Sequence, residues 1–263
     1  MDPSLYPRMA QVEDAHWWFA SRRAIVDRII ARLGLPSDAA ILEPGCGTGG
    51  NFPMLARRGH LYALDAEESA IGFAQSRGLA RVARGSLPDA IPFGDQRFDL
   101  VVMTDVLEHL QDQSGALRAL HARMRPGGWL LMTVPAMAWL WSDHDVTHHH
   151  LRRYRAHEVR ELVSAAGFEV NYLSYYNFLL FPLIAGARIL QRFSSRASDG
   201  ANPRHDLAMP SAALNSLLKR IFSSERYLVG TSRIPFGVSL IVLARAQGTT
   251  QSASASVPLA SAH

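Results

Sequence analysis

Apolar residues recur along this chain in two alternating rhythms. In residues 16–34, Ile25, Ile29, Ile30 and Leu33 fall at helical spacing, and Gly34 supplies a stop. The short apolar run in "AAILEPGCGTGG" (39–50) reads as a strand that enters a glycine-rich turn. "LYALDAE" (61–67) is a second strand, ending in an acid, and "RFDLVVMTDVLEHL" (97–110) is a buried strand running into the start of a helix. "ALRALHARMRPGG" predicts an amphipathic helix with a Pro-Gly-Gly stop, and "WLLMTVPA" the next strand. "AHEVRELVSAAGFEVNYLSYY" then predicts helix, glycine turn and strand, and "FGVSLIVLARA" (236–246) a terminal strand. Strands that alternate with helices predict an α/β fold around a doubly wound, mostly parallel sheet.

Roughly fifty residues separate the last two strands, too long and too apolar for a plain connection. They hold an apolar stretch at 178–190, the polar loop "SSRASDGANPRHD", and a helix with Leu214, Leu217, Leu218, Ile221 and Phe222 on one face. The expected organisation is a main domain of residues 1–175 and 231–246, an inserted helical cap at 176–230, and a disordered, low-complexity tail at 247–263.

Composition narrows the classes. The chain has 263 residues, 48% of them hydrophobic, enough for a substantial core. Its net charge of +4 comes from arginines, with Lys219 the only lysine, and no long basic run suggests a nucleic-acid partner. The cluster Arg152, Arg153, Arg155 is the densest basic point and suits an anionic substrate group. Cys46 stands alone, so neither an intramolecular disulfide nor a cysteine-based zinc site is expected. The opening residues lack the pattern of a signal peptide, and the longest apolar run, "FLLFPLIAGA" (178–187), is about half of the roughly 20 residues that span a bilayer. A cytoplasmic protein, with membrane-surface contact as an option, fits these limits.

The most informative segment is "LEPGCGTGG". Gly45, Gly47 and Gly49 give G-x-G-x-G at the end of a strand, where backbone turns tightly and open α/β sheets bind ligands. Glu43, just before the turn, would repel a pyrophosphate and attract a cation. Asp65, at the end of the next strand, suits a pair of ribose hydroxyls. A cationic nucleoside without phosphates matches S-adenosyl-L-methionine.

At this point the chain resembles the class I S-adenosylmethionine-dependent methyltransferases. "LEPGCGTGG", the "LD" acid, "FDLVVMTDVLEHL" and "RPGGWLLMTVP" occur in that family's order and spacing, over roughly residues 16–246. The resemblance implies a Rossmann-like seven-stranded sheet with an antiparallel last strand. It implies a cofactor site of Glu43, Gly45, Cys46, Gly47, Thr48, Gly49, Asp65, Ala66, Ser86, Leu87, Thr104 and Asp105, with Asp89 as an alternative to Ser86.

The segment "WSDHDVTHHHLRRYR" (141–155) follows the fifth strand, on the expected active-site rim. "HDVTH" approaches H-E-x-x-H, but lacks its glutamate base. Its pattern, with the helix "HWWFASRR" (16–23), resembles a bacterial methyltransferase subgroup. That likeness implies His144, Asp145 and His150 as catalytic residues, a histidine base being oriented by Asp145, and a pocket made with Arg153 and Tyr154. His16, Trp17, Trp18 and Tyr176 join the expected acceptor site, and His109 the catalytic set, while His148 and His149 fall off the pattern. Asp105, Glu108 and His109 resemble a trio that holds a divalent metal in ubiquinone-pathway O-methyltransferases, but "LEHL" also occurs in metal-free relatives and no metal is assigned. The expected function is O-methylation of a hydrophobic or lipid-linked small molecule. N- or C-methylation and a non-catalytic cofactor-binding scaffold are the alternatives, and the oligomeric state stays open.

Overall fold

The computed structural model describes residues 5–194 and 208–248. Their strands are β1 (Ala40–Pro44), β2 (His60–Asp65), β3 (Arg81–Arg84), β4 (Phe98–Thr104), β5 (Met124–Pro135), β6 (Phe168–Tyr176) and β7 (Ser239–Ala246). They form one sheet in the order β3-β2-β1-β4-β5-β7-β6, and only β7 runs antiparallel to its neighbours. This is the Rossmann-like sheet expected from the sequence. The helices are α1 (Tyr6–Val12), α2 (Trp17–Ile30), α3 (Phe52–Leu55), α4 (Glu68–Ser76), α5 (Gln113–Ala122), α6 (Asp143–Thr147), α7 (Ala156–Ala165), α8 (Phe181–Ser194) and α9 (Ala212–Ser224).

Adjacent strand residues point to opposite faces, and both faces are covered, so the strands read as continuous apolar runs. Leu42, Val101 and Leu130 pack with Leu117 and Leu120 of α5 and Val159 and Val163 of α7. Ile41, Val102 and Leu131 pack on the other side with Ile25 and Ile29 of α2, Phe52 of α3 and Phe222 of α9. Chain order reverses direction at β1, between β2 and β4, which opens a crevice at the carboxyl ends of these strands.

Three local expectations change. The segment after β4 is a short 3-10 turn at Leu107–His109 rather than a helix, because Asp105 adopts a left-handed backbone with φ of 55°. Asp105, Glu108 and His109 therefore do not share a helical face. The "RPGG" run is not the stop of α5, which ends at Ala122; it lies inside β5 as a bulge, where Phe98 pairs with Met124 and Leu100 with Trp129. Finally, α1 precedes the expected first helix. Pro7 suits its first turn, and Tyr6, Met9 and Val12, three apart, bury against Ala70, Phe19 and Phe73.

The inserted segment is helical and seated on the main body. Phe222 of α9 is fully buried against Trp17, Trp18 and Tyr176, with ring centroids 6.0, 5.4 and 6.0 Å away. Leu214 and Leu217, expected on the same apolar face, remain exposed, as do Leu183 and Leu190 of α8. Residues 195–207 and 249–263, which hold most of the polar loop and the tail, lie outside the described residues. Among the described residues no helix is long and apolar enough to cross a membrane.

Candidate active site

The glycine loop leaves β1 and folds back onto β2: the N–H groups of Gly45 and Cys46 both donate to the Leu64 carbonyl, at 2.8 and 3.0 Å. Gly45 has φ of 68°, and a Cβ there would meet Val106 Cγ2 at 2.5 Å. Gly47 has φ of 54°, and its Cβ would meet Met9 Cε at 2.7 Å. Backbone conformation and close packing both require glycine at these two positions. Asp65 fixes the loop, accepting from Gly47 N–H at 2.8 Å and from Glu67 N–H at 3.0 Å. Each carboxylate oxygen has a second lone pair to offer a ligand hydroxyl.

Glu43 is buried; one oxygen accepts from Asn51 Nδ2 at 2.7 Å and the other has no hydrogen-bond partner. Burial pushes its carboxyl up to about 8. An orphaned buried carboxylate oxygen beside a tight glycine cradle fits a cationic cofactor better than a phosphate. Burial also pushes the Cys46 thiol up, so it is an inert packed group rather than a nucleophile.

On the other side of the crevice, Ser142 and Asp145 form a reciprocal capping box at the start of α6, which locks Asp145 under the rim. Asp145 then accepts from His150 Nδ1 at 2.9 Å and Arg153 Nε at 2.8 Å. Burial alone would raise the Asp145 carboxyl, but these two donors hold it below the usual carboxylate range. His150 Nδ1–H is thereby fixed as donor, leaving Nε2 with a lone pair, 3.8 Å from Glu108 Oε1. Glu108 is fully buried, and neither of its oxygens has a hydrogen-bond partner. Burial, then the nearby Asp105 charge, pushes its carboxyl well above the usual range. His109 lies edge-on to His150 with centroids 4.9 Å apart. Burial, then His150, pushes its imidazole down to about 4, so the ring is neutral at pH 7.

One cavity of about 570 Å³ joins the two sides. Glu43, Gly45, Cys46, Gly47, Asp65, Ala66, Ser86, Leu87, Thr104 and Asp105 line it, as do His16, Trp17, Trp18, His109, His144, His150 and Arg153. Five expected site residues do not line it. Thr48 turns away to donate to Glu13, and Gly49 sits behind it against Phe52. Asp145 is fully buried behind His150, and Tyr154 lies beneath the rim with its hydroxyl bonded by Gln113. Tyr176 is fully buried, stacked on Phe222. Asp89 also stays outside. Two members of the basic cluster are engaged within the protein: Arg153 is paired with Asp145, and Arg152 donates to Gln113, while Arg155 is exposed and does not line the cavity.

Several lining residues had no motif to announce them. Tyr6, Met9 and Glu13 of α1 and its following turn close the cofactor side, and Arg77 ties Glu13 down at 2.7 Å. Arg22 pairs with Asp105, whose other oxygen accepts from Thr133 at 2.8 Å. His148 lines the cavity and packs on His144 with centroids 4.3 Å apart, while the His149 carbonyl lies 3.3 Å from His109 Nδ1. A second hollow of about 830 Å³, among Arg97, His121 and Arg125, lies where strands begin. Open α/β sheets bind at the opposite, carboxyl end.

Comparisons with known proteins agree with the first cavity. A probable S-adenosylmethionine-dependent methyltransferase of Mycolicibacterium smegmatis is 29% identical over 60% of this chain and 61% of its own length. A malonyl-[acyl-carrier protein] O-methyltransferase of Pseudescherichia vulneris is 31% identical over 61% and 66%. The chain thus spans about three fifths of the length of these curated relatives. A chain from the complex of the Haloferax volcanii Trm112 methyltransferase activator superposes with a TM-score of 0.60, over 93% of this chain and 95% of that one. At 18% identity that likeness shows the fold. The methyltransferase domain family matches residues 18–173, the stretch that carries Glu43, the glycine loop, Asp65 and the histidine rim. With that match on these residues, this chain belongs to the class I S-adenosyl-L-methionine-dependent methyltransferase family.

Proposed function

We propose that the chain transfers a methyl group to an oxygen of a hydrophobic, lipid-linked acceptor presented at a membrane surface. The single observation that supports this most is the continuity of the cavity, from Glu43 and Asp65 at one end to Trp17, Trp18 and the histidine rim at the other. When bound, S-adenosyl-L-methionine supplies an activated methyl group together with its own leaving group. The protein's share is alignment and exclusion of water, which contributes on the order of 7–11 kcal/mol in well-oriented reactions. Glu43 and Asp65 would hold the cofactor. Trp17 and Trp18, clamped by Phe222, would orient an apolar acceptor. A hydroxyl acceptor must shed a proton, and His109, His144 and His150 offer ring nitrogens at that end of the cavity. That histidine edge favours oxygen over carbon or nitrogen, and the Pseudescherichia relative is named as an O-methyltransferase.

The lipid-linked assignment draws on Ile184 at the cavity and on the exposed Leu183 and Leu190 of the same helix. Incubating the protein with methyl-labelled cofactor and either a lipid extract or an aqueous metabolite extract tests the reading. Label is expected in the organic phase. Label confined to water-soluble products overturns the acceptor class, and cofactor binding without label in either fraction overturns methyl transfer.

A further inference from the structure

Within the histidine rim, Glu108, His109 and His150 each offer one ligand atom, and these atoms lie within 4.8 Å of one another. Glu108 gives the decisive sign. It is fully buried, and both carboxylate oxygens lack a hydrogen-bond donor. A buried acceptor facing two imidazoles, with no donor of its own, has the environment of a ligand awaiting a cation. The imidazoles are prepared in the matching way. His150 is held through Nδ1 by Asp145 at 2.9 Å, and His109 Nδ1 lies 3.3 Å from the His149 carbonyl. With Nδ1–H donated outward in each ring, Nε2 keeps the lone pair, the outer-shell pattern of metal-binding histidines, and His150 Nε2 lies 3.8 Å from Glu108 Oε1.

The local charge agrees. Arg22 and Arg153 approach Glu108, but Arg22 is neutralised by Asp105 and Arg153 by Asp145. Those two pairs cancel, so neither arginine carries unpaired charge against a cation beside Glu108. Metal–ligand bonds of about 2.0–2.2 Å place ligand atoms about 3.4 Å apart, so the three atoms must draw together by up to about 1.4 Å, within reach of side-chain rotation. Two nitrogens and one carboxylate suit a divalent transition ion such as Zn²⁺ or Fe²⁺ rather than Ca²⁺ or Mg²⁺, which prefer oxygen.

We propose that Glu108, His109 and His150 form a divalent transition-metal site whose open face looks into the acceptor end of the cavity. The set differs from the Asp105-containing trio considered on sequence grounds, since Asp105 is spent on Arg22 and Thr133. The site deepens the methyl-transfer reading: an acceptor hydroxyl bound at the open position would acidify, and His144, across from His150 at 5.7 Å between centroids, would be left to take its proton. The binding claim itself does not rest on that reading.

Co²⁺ serves as the probe, titrated into the full chain and followed by its visible d–d absorption, with Zn²⁺ as competitor. A band that saturates at about one equivalent is expected. Glu108→Gln and His150→Ala should each weaken binding at least about 100-fold, while Asp145→Asn, which weakens the hold on His150 and also unpairs Arg153, should cost about 10–100-fold. His121→Ala, remote from the cavity, should bind as the parent does. Retained binding of S-adenosylhomocysteine by each variant shows that it is folded. No saturable band, or an unchanged band in Glu108→Gln, overturns the site. Metal binding without methyl transfer would overturn the proposed function and leave the site standing.

Discussion

Glu43 lies one residue before the end of β1 with one oxygen bonded to Asn51 and the other bare, in a position shielded from water. Burial lifts its carboxyl to about 8, above the unfolded value of roughly 4.3. The sign follows from that inequality. In the empty protein the protonated form is the favoured one, so its contribution to stability is complete below the unfolded value and disappears as pH rises through about 8. A bound cation prefers the ionised form. Cofactor affinity should therefore rise with pH, by up to about tenfold per unit below pH 8. Calorimetric titration at several pH values reads this directly. Glu43→Gln should bind more weakly at high pH and give a nearly flat profile; a flat profile in the parent would remove Glu43 from the cofactor's electrostatics. Both Glu43 and Asp65 were legible in the sequence, since each sits at a strand end beside a motif that marks it. Arg22 was not: its role depends on Asp105, 83 residues away, and no local pattern encodes that pairing.

At the scale of elements, the junction between β6 and the inserted helices hangs on one side chain. Glu225, just after α9, accepts from the backbone N–H of Asn177 at 2.6 Å and of Leu179 at 2.9 Å. Removing it leaves two donors without acceptors, the first at a fully buried residue. At about 1–3 kcal/mol for each unsatisfied group, Glu225→Ala should lose roughly 2–6 kcal/mol in urea unfolding. Glu225→Gln, which keeps one acceptor oxygen, should lose about half as much. A loss below about 0.5 kcal/mol would mean that water satisfies these donors. Elements with strong periodicity, such as β4, α7 and β7, were readable because their burial is continuous along the chain. The bulge that opens β5 was not, since "RPGG" is a stop for a helix and a tolerated irregularity for a strand, and only pairing with β4 decides between them. The 3-10 turn after β4 was hidden for a similar reason. Its start depends on the backbone of Asp105, which the ion pair with Arg22 holds in place. Glu108 Oε1 then comes within 3.8 Å of His150 Nε2.

Over the whole molecule, apolar exposure is uneven. Leu183 and Leu190 lie two turns apart on one side of α8, and Leu214 and Leu217 one turn apart on α9, all exposed, in a chain of net charge +4 with Lys219 and Arg220 on the same helix as the second pair. Exposed aliphatics beside cations suit an anionic lipid surface. The double variant Leu183→Asp with Leu217→Asp should lose co-sedimentation with anionic phospholipid vesicles while its melting temperature stays within a few degrees of the parent. Equal vesicle binding by parent and variant would confine the acceptor to delivery by some other route.

The single cysteine acquires a use from where it lies. Cys46 is the chain's only thiol, its side chain is buried in the glycine loop, and Met9 of α1 rests on the neighbouring Gly47. A thiol-reactive dye therefore has one address, at the cofactor end of the cavity that Cys46 lines. An added ligand that slows its labelling reports its own occupancy, without an engineered tag or a known acceptor.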